Sequence, residues 1–432
     1  MPIVAGLAAK ALDSLSSEDI SFLQDLPKAE LHAHLNGSIP VATLLELVNA
    51  HSTHNSESDL APDILTRIEN LESGVPLADI SDFFPLFGAI YALTSTPDAL
   101  ATATRAVLED FLCPPPQNPN GAPQCQYLEL RTTPRSTQYM SRRKYLTTVL
   151  SEIEKFSNAA LIVCIDRRMS VSDVIECVDL AIELRGQGRR VVGLDLCGDP
   201  NKGDIELFKP HFSKGKAAGL GVTLHIAETN SNTVSESIAL LNWRPDRLGH
   251  ATFLSDDVKS QFFADIPQSE AAPATSASTD YSSSDHPLHA EFMTEYSLQL
   301  ARIQRKSTVD AEGRAMLSSH LDVDKGARRA AQKALYEREK EVSRSRYKPC
   351  IEICLTSNLL CKTVSSLDTH HIRYYLKNDH PVAICTDDTL PFRTSLIAEY
   401  ALLLAERPLG LGLSRAEVAR LAQMAMDARF RA

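Results

Sequence analysis

"AALIVCIDRRMSVSDVIECVDLAIELRGQGRRVVGLDLCG", residues 159–198, reads as strand, helix, strand. "AALIVCIDR" (159–167) and "VVGLDLCG" (191–198) are short apolar runs rich in Val, Ile and Leu. Between them, "VSDVIECVDLAIELRGQG" (171–188) repeats apolar residues at spacings of three and four and stops at Gly186 and Gly188, as a helix packed by one face does. The same alternation extends both ways along the chain. Further strand-like runs are "AELHAHL" (29–35), "QYLELRTTP" (126–134), "GVTLHIAET" (221–229), "RLGHAT" (247–252), "IEICLTSN" (351–358) and "PVAICTDD" (381–388). Strand followed by helix eight times predicts a (β/α)8 TIM barrel, a single domain over 1–432.

The polar residues of these runs collect at their C-terminal ends: His32, His34, Arg131, Asp166, Asp195, Gly198, His225, Glu228, His250, Asn358, Asp387 and Asp388. Strand ends meet loops, and loops are polar, so any one of these residues is unremarkable by itself. His, Glu and Asp recurring at several ends point instead to an active site, which barrel enzymes build on that face.

Two stretches break the alternation. "CPPPQNPNGAPQC" (113–125) carries prolines that forbid helix and central strand, and reads as a surface loop. Residues 255–346 occupy a place that one helix and its loops would fill. This long insertion after strand six passes through low-complexity "AAPATSASTDYSSS" (271–284) and ends in "ARRAAQKALYEREKEVSRSR" (327–346). A disordered segment followed by a solvated basic helix is expected there, a variable surface insertion rather than a docking element.

With 432 residues, 44% of them hydrophobic, the chain can bury a large core, and its net charge of -11 argues against nucleic acid or an anionic membrane as partner. Nine cysteines without paired metal-type spacing read as reduced thiols. The N-terminal "MPIVAGLAAKALDSLSSEDISFLQDLP" fits neither a secretory signal nor a transit peptide, and no stretch approaches the roughly 20 apolar residues of a membrane span. A cytoplasmic monomer acting on a small molecule is expected.

In "ELHAHLNGSI" (30–39), His32 and His34 sit two apart on a strand and so share a face. That pair alone is a weak signal. A closed barrel brings it beside His225 at the end of strand five and Asp387 at the end of strand eight. Three imidazoles and a carboxylate suit one Zn²⁺ per chain, with water completing the shell, although ligand type alone does not exclude another divalent metal. Glu228 can then present a carboxyl group to a substrate ring. His250 can hold or deprotonate the water, and Asp388, next to Asp387, can turn toward substrate.

"HAHLNGS", "GLDLCGDP", "TLHIAET", "RLGHATFL", "LTSN" and "ICTDD" together resemble the adenosine deaminase family of metal-dependent hydrolases. They are most similar to its adenosine deaminase-like branch, the N6-methyl-AMP deaminases. The resemblance implies zinc on His32, His34, His225 and Asp387, Glu228 protonating purine N1, and His250 orienting the hydroxide. It further implies that the backbone at Gly198 contacts the purine and that Asp388 bonds the purine and directs attack at C6.

The branch assignment rests on fewer residues. Ordinary adenosine deaminases resemble "HLDG" at the first strand, where this chain has "HLNG" with Asn36. A carboxylate there would repel a 5′ phosphate by about 1 kcal/mol at roughly 4 Å in water, and by more in a drier site, whereas an amide can donate; capping of the turn before Gly37 is the plainer role for Asn36. "ELRTTPR" (129–135) resembles the branch's nucleotide-contacting segment, which would put Thr132, Thr133, Pro134 and Arg135 near the phosphate; Arg131 and Arg135 could equally be structural ion-pair partners. "CIDRR" resembles another branch motif and would put Asp166 near substrate. Tyr91 stands where the branch usually carries a substrate-contacting histidine, Ala251 where a glycine commonly follows the histidine, and "MAMDARFRA" suggests that a terminal helix is missing.

The expected reaction is hydrolysis of an N6-substituted AMP, N6-methyl-AMP foremost, to IMP and methylamine. Deamination of adenosine or adenine is the first alternative. A catalytically silent barrel used as a binding scaffold is the second. A two-metal site with a carboxylated lysine is disfavoured, because "DLCGDP" offers no lysine.

Overall fold

In the computed structural model, residues 3–54, 62–74, 82, 84–116, 118–263 and 347–431 are described. Eight parallel strands run in sequence order: β1 Ala29–His34, β2 Tyr127–Thr132, β3 Ala159–Asp166, β4 Val191–Cys197, β5 Gly221–Ile226, β6 Arg247–His250, β7 Cys350–Ile353 and β8 Val382–Ile384. The TIM barrel expected from the alternation is the observed fold. Closure falls between β8 and β1, where the His34 amide donates to the Asp387 carbonyl at 3.0 Å and the Thr386 amide donates to the Glu30 carboxyl at 2.9 Å.

Every residue of β3 and β4 is buried, as in a sheet covered by helices on its outer face. The helix Val171–Gly186 covers them through Val174, Cys177, Val178, Ala181 and Leu184. Ser170 starts it by accepting the Asp173 amide, a cap worth about 1 kcal/mol. The terminal helix Arg415–Asp427, opened by a Ser414–Glu417 capping box, packs on β8 and β1. This helix takes in the first four residues of "MAMDARFRA".

Strand seven is shorter than expected. Asn358 belongs to the helix Leu355–Leu360, because the chain leaves the sheet after Ile353 and "LTSN" forms its first turn. The expected insertion 255–346 begins in an ordinary barrel helix, Asp256–Phe262, capped by Ser255. Met1–Phe263 together with Lys348–Ala432 forms one compact unit. The low-complexity stretch and basic helix expected within 264–346 lie outside the described residues. Among the described residues, no helix is long and apolar enough to cross a membrane.

Candidate active site

The lower barrel interior is charged rather than oily. Arg131 on β2 donates to Asp195 at 3.2 Å and to Glu352 at 2.9 Å, and Arg247 on β6 reaches Glu352 at 2.7 Å and Glu129 at 2.6 Å, all five essentially without solvent exposure. Arg131 thus takes the structural role left open for it. Loss of one partner from such a buried pair costs about 3–5 kcal/mol, since the other charge is stranded.

Above this network lie the histidines. Glu352 approaches His32 Nδ1 at 2.5 Å and Asp195 approaches His225 Nδ1 at 3.0 Å, which leaves both Nε2 atoms for a ligand on the other side. The Nε2 atoms of His32 and His34 are 3.1 and 3.3 Å from Nε2 of His225. Asp387 Oδ1 lies 3.7 Å from His32 Nε2 and 3.6 Å from His34 Nε2, and Ser357 holds the other carboxylate oxygen at 2.7 Å. Such converging donors fit one divalent ion. Burial keeps His32, His34 and His250 well below the usual imidazole range, so they are neutral and ligand-competent. Burial opposes charge on His225 too, but Asp195 beside it raises that ring to about 10. The site thus calls for a positive charge, which either a proton or a metal supplies.

His250 Nε2 stands 3.7 Å from Glu228 and 3.9 Å from Asp387 Oδ2. Burial pushes the Glu228 carboxyl up to about 7, with His225 opposing. Asp388 lies well above the carboxylate range through burial and then through Asp387 beside it.

A pocket opens at the C-terminal strand ends. His34, Thr133, Asp166, Gly198, His225, Glu228, Asp387 and Asp388 line it, and Phe84, Phe87 and Tyr91 form an aromatic side. Four expected substrate contacts do not line this pocket. Thr132 points the other way, its hydroxyl 2.8 Å from Tyr145 on the helix Arg142–Ile153, because neighbouring strand residues face opposite sides and Thr133 has the inward place. Pro134 is buried behind it. Arg135 lies over the Tyr91 ring at 4.0 Å and donates to the Tyr91 carbonyl and the Thr94 hydroxyl. Asn36 is 6% exposed in the turn Asn36–Ser38, and its amide oxygen has no protein partner, so it does not cap that turn.

Residues overlooked in the sequence complete the picture. Arg168 lines the pocket half exposed, its guanidinium held by Asp166 at 2.5 and 2.9 Å. Glu352 was legible as the charge in the otherwise apolar "CIEIC", and Phe84 and Phe87 as aromatics seven and four residues before the expected contact Tyr91. A wider cleft at the opposite barrel end, bordered by Arg247, Cys350 and Phe430, contains none of the candidate ligands.

A family model described as adenosine deaminase matches residues 27–301 and 314–431. The chain belongs to the adenosine deaminase family. An N6-mAMP deaminase of Arabidopsis thaliana is 30% identical, the match covering 95% of this chain and 94% of that protein. An N6-methyl-AMP deaminase of Danio rerio is 29% identical over 96% of this chain and 94% of that protein. The crystal structure of the Arabidopsis N6-mAMP deaminase superposes with a TM-score of 0.65 at 29% identity, covering 95% of both chains. That of the ADAL–IMP complex gives 0.66 at 29%, covering 96% of this chain and 94% of that one. As in other members of the family, which is metal-dependent, the chemistry is hydrolytic deamination.

Where the resemblance leads one to expect glycine this chain has Ala251, and the backbone bears on the difference. Ala227, His250, Ala251 and Asp387 all have positive φ, 46°, 60°, 52° and 64°, a conformation that costs a non-glycine residue about 1–2 kcal/mol. These residues end β5 and β6 and follow β8, where the chain turns to aim ligands inward. Ala251→Gly relieves that cost while losing one buried methyl, worth about 0.8 kcal/mol. Its stability in urea is expected within about 1 kcal/mol of the wild type. Ala181→Gly, in the middle of a buried helix face, is expected to cost about 2 kcal/mol. Equal losses at the two positions would contradict this account of the strand ends.

Proposed function

We propose that this deaminase acts on N6-substituted AMP, converting N6-methyl-AMP and water to IMP and methylamine. Similarity over nearly the full chain to relatives named for that activity carries the reading. The residues of the pocket support it chemically.

Zinc, held by His32, His34, His225 and Asp387, would supply acidification of a water at neutral pH. Glu228 gives a proton to purine N1, drawing electron density from C6. His250 takes a proton from the attacking water, and Asp388 orients that water and hydrogen-bonds the purine. The C6–O bond forms, His250 passes the water's proton to N6, the C6–N6 bond breaks to release methylamine, and the C6 hydroxyl proton returns to Glu228, leaving IMP protonated at N1. Phe84, Phe87 and Tyr91 cover the ring and exclude bulk water. Gly198, at φ 92°, lets the purine approach its backbone: a Cβ there would lie 2.7 Å from the Asp166 carboxyl carbon.

For the phosphate end we assign Arg168 and Thr133 as donors, with Asn36 in place of a repelling carboxylate. Asp166 holds the Arg168 guanidinium in a fixed plane and keeps donors free on its far side. Arg168→Ala is expected to raise KM for N6-methyl-AMP about tenfold and to leave KM for N6-methyladenosine within about twofold. Equal changes for both substrates would remove Arg168 from phosphate recognition.

The reading as a whole is tested by incubating zinc-loaded protein with AMP, adenosine and their N6-methyl forms at equal concentration. IMP release fastest from N6-methyl-AMP is expected. No IMP from it, or faster turnover of adenosine, would overturn the assignment. We further infer a monomer working in the cytosol; for the compartment, nine unpaired cysteines, eight of them buried, fit a reducing environment.

A further inference from the structure

The charged network beneath the ligands has a floor made from the end of the chain. The Phe430 amide donates to Glu129 at 2.6 Å, and its ring lies against Arg247, with the guanidinium carbon 3.6 Å from the ring centre. The carbonyl two residues earlier, at Ala428, accepts from Arg247 at 3.0 Å. Two strand glycines make room for the aromatic ring: a Cβ on Gly193 would fall 2.7 Å from it, and one on Gly221 closer still. Phe430 also packs against Ala160, Ile162 and Val192. The tail is therefore fitted into the bottom of the barrel.

From there an unbroken series of contacts leads upward. Phe430 faces Arg247, Arg247 donates to Glu352 at 2.7 Å, and Glu352 meets His32 Nδ1 at 2.5 Å. The wide cleft below is bordered by Arg247 and Phe430 together, so the ring separates the buried ion pairs from solvent there. Ion pairs weaken when water enters, because attraction falls with the local dielectric. An Arg247 hydrated from below would bind Glu352 less firmly, and Glu352 would orient the His32 ring less firmly.

We infer that Phe430 is a positioning residue for the metal centre, acting through Arg247 and Glu352 on His32. The inference rests on the proposed ligand set, and the measurement separates the two. Protein is stripped of metal, and zinc affinity is measured by competition with a chromophoric chelator for wild type, Phe430→Ala, Phe430→Leu and Leu421→Ala. Leu421 is buried in the terminal helix, outside this series of contacts, and controls for general loosening. Orienting partners one contact from a ligand change metal affinity about 10–100-fold, so a residue further away should change it less. Phe430→Ala is expected to weaken zinc binding about fivefold, Phe430→Leu less because it still fills the space, and Leu421→Ala less than twofold at a similar loss of melting temperature. Should Phe430→Ala fail to fold, Phe430→Leu carries the comparison, with about twofold weaker binding expected. Zinc affinities unchanged in the Phe430 variants, or lowered equally by Leu421→Ala, would overturn the inference. Absence of one-to-one zinc binding by the wild type would instead overturn the proposed metal site.

Discussion

With glutamine at position 228, kcat is expected to fall about 10³-fold, while KM changes little. Glutamine keeps the size of the side chain and can still donate a hydrogen bond to purine N1, but it cannot give up a proton. Proton transfer by a positioned side chain contributes about 10²–10⁴-fold, so the loss should lie inside that range. A pH profile makes the prediction sharper. Burial raises the Glu228 carboxyl to about 7, and only its protonated form can act as the acid. Activity should therefore be retained below that value and decline about tenfold per pH unit above it. The decline should vanish from the residual activity of Glu228→Gln. A variant with a tenth of the wild-type rate, or with the same alkaline decline, would assign the proton to another group.

Removal of metal is expected to abolish turnover, and one equivalent of zinc per chain should restore it. The convergence of three Nε2 atoms and a carboxylate oxygen, with the Nδ1 atoms of His32 and His225 already engaged, is the geometry on which this expectation rests. Binding should also stabilise the fold, by about 4 kcal/mol when free zinc exceeds its Kd a thousandfold. Thermal melts of the stripped and reloaded protein would show it as an upward shift. Reconstitution with manganese or cobalt tests the metal's identity, since these ligands do not select zinc alone. Full activity after exhaustive chelation would end the metal-dependent reading.

Much of this architecture was legible because barrel strands announce themselves twice, once by continuous apolar residues and once by the polar residue that ends each run. His32, His34, His225 and Asp387 could be grouped from topology alone, since β8 must lie beside β1. The misreadings share a cause. Thr132 and Thr133 look alike in sequence, yet only one can face inward, and register decides which. Arg135 and Arg168 are both arginines near strand ends, and only the three-dimensional placement of Tyr91 and Asp166 separates them. Asn358 was assigned to a strand because its segment is apolar; a helix beginning within that segment has no local mark. The Phe430 contacts join residues hundreds of positions apart, which no local pattern reveals.

The turn Asn36–Ser38 bears on how this enzyme could change over generations. A Cβ on Gly37 would sit 1.5 Å from an oxygen of Asp388, so the turn that carries Asn36 rests directly on that carboxyl group. In the proposed reading, position 36 bears on the preference for nucleotide or nucleoside and Asp388 on the reaction itself. Backbone shifts that accommodate a new residue at 36 move Asp388 as well. Substrate preference and rate are therefore coupled traits in this lineage: drift toward a new substrate should proceed through slower intermediates, or through paired substitutions on both sides of that contact.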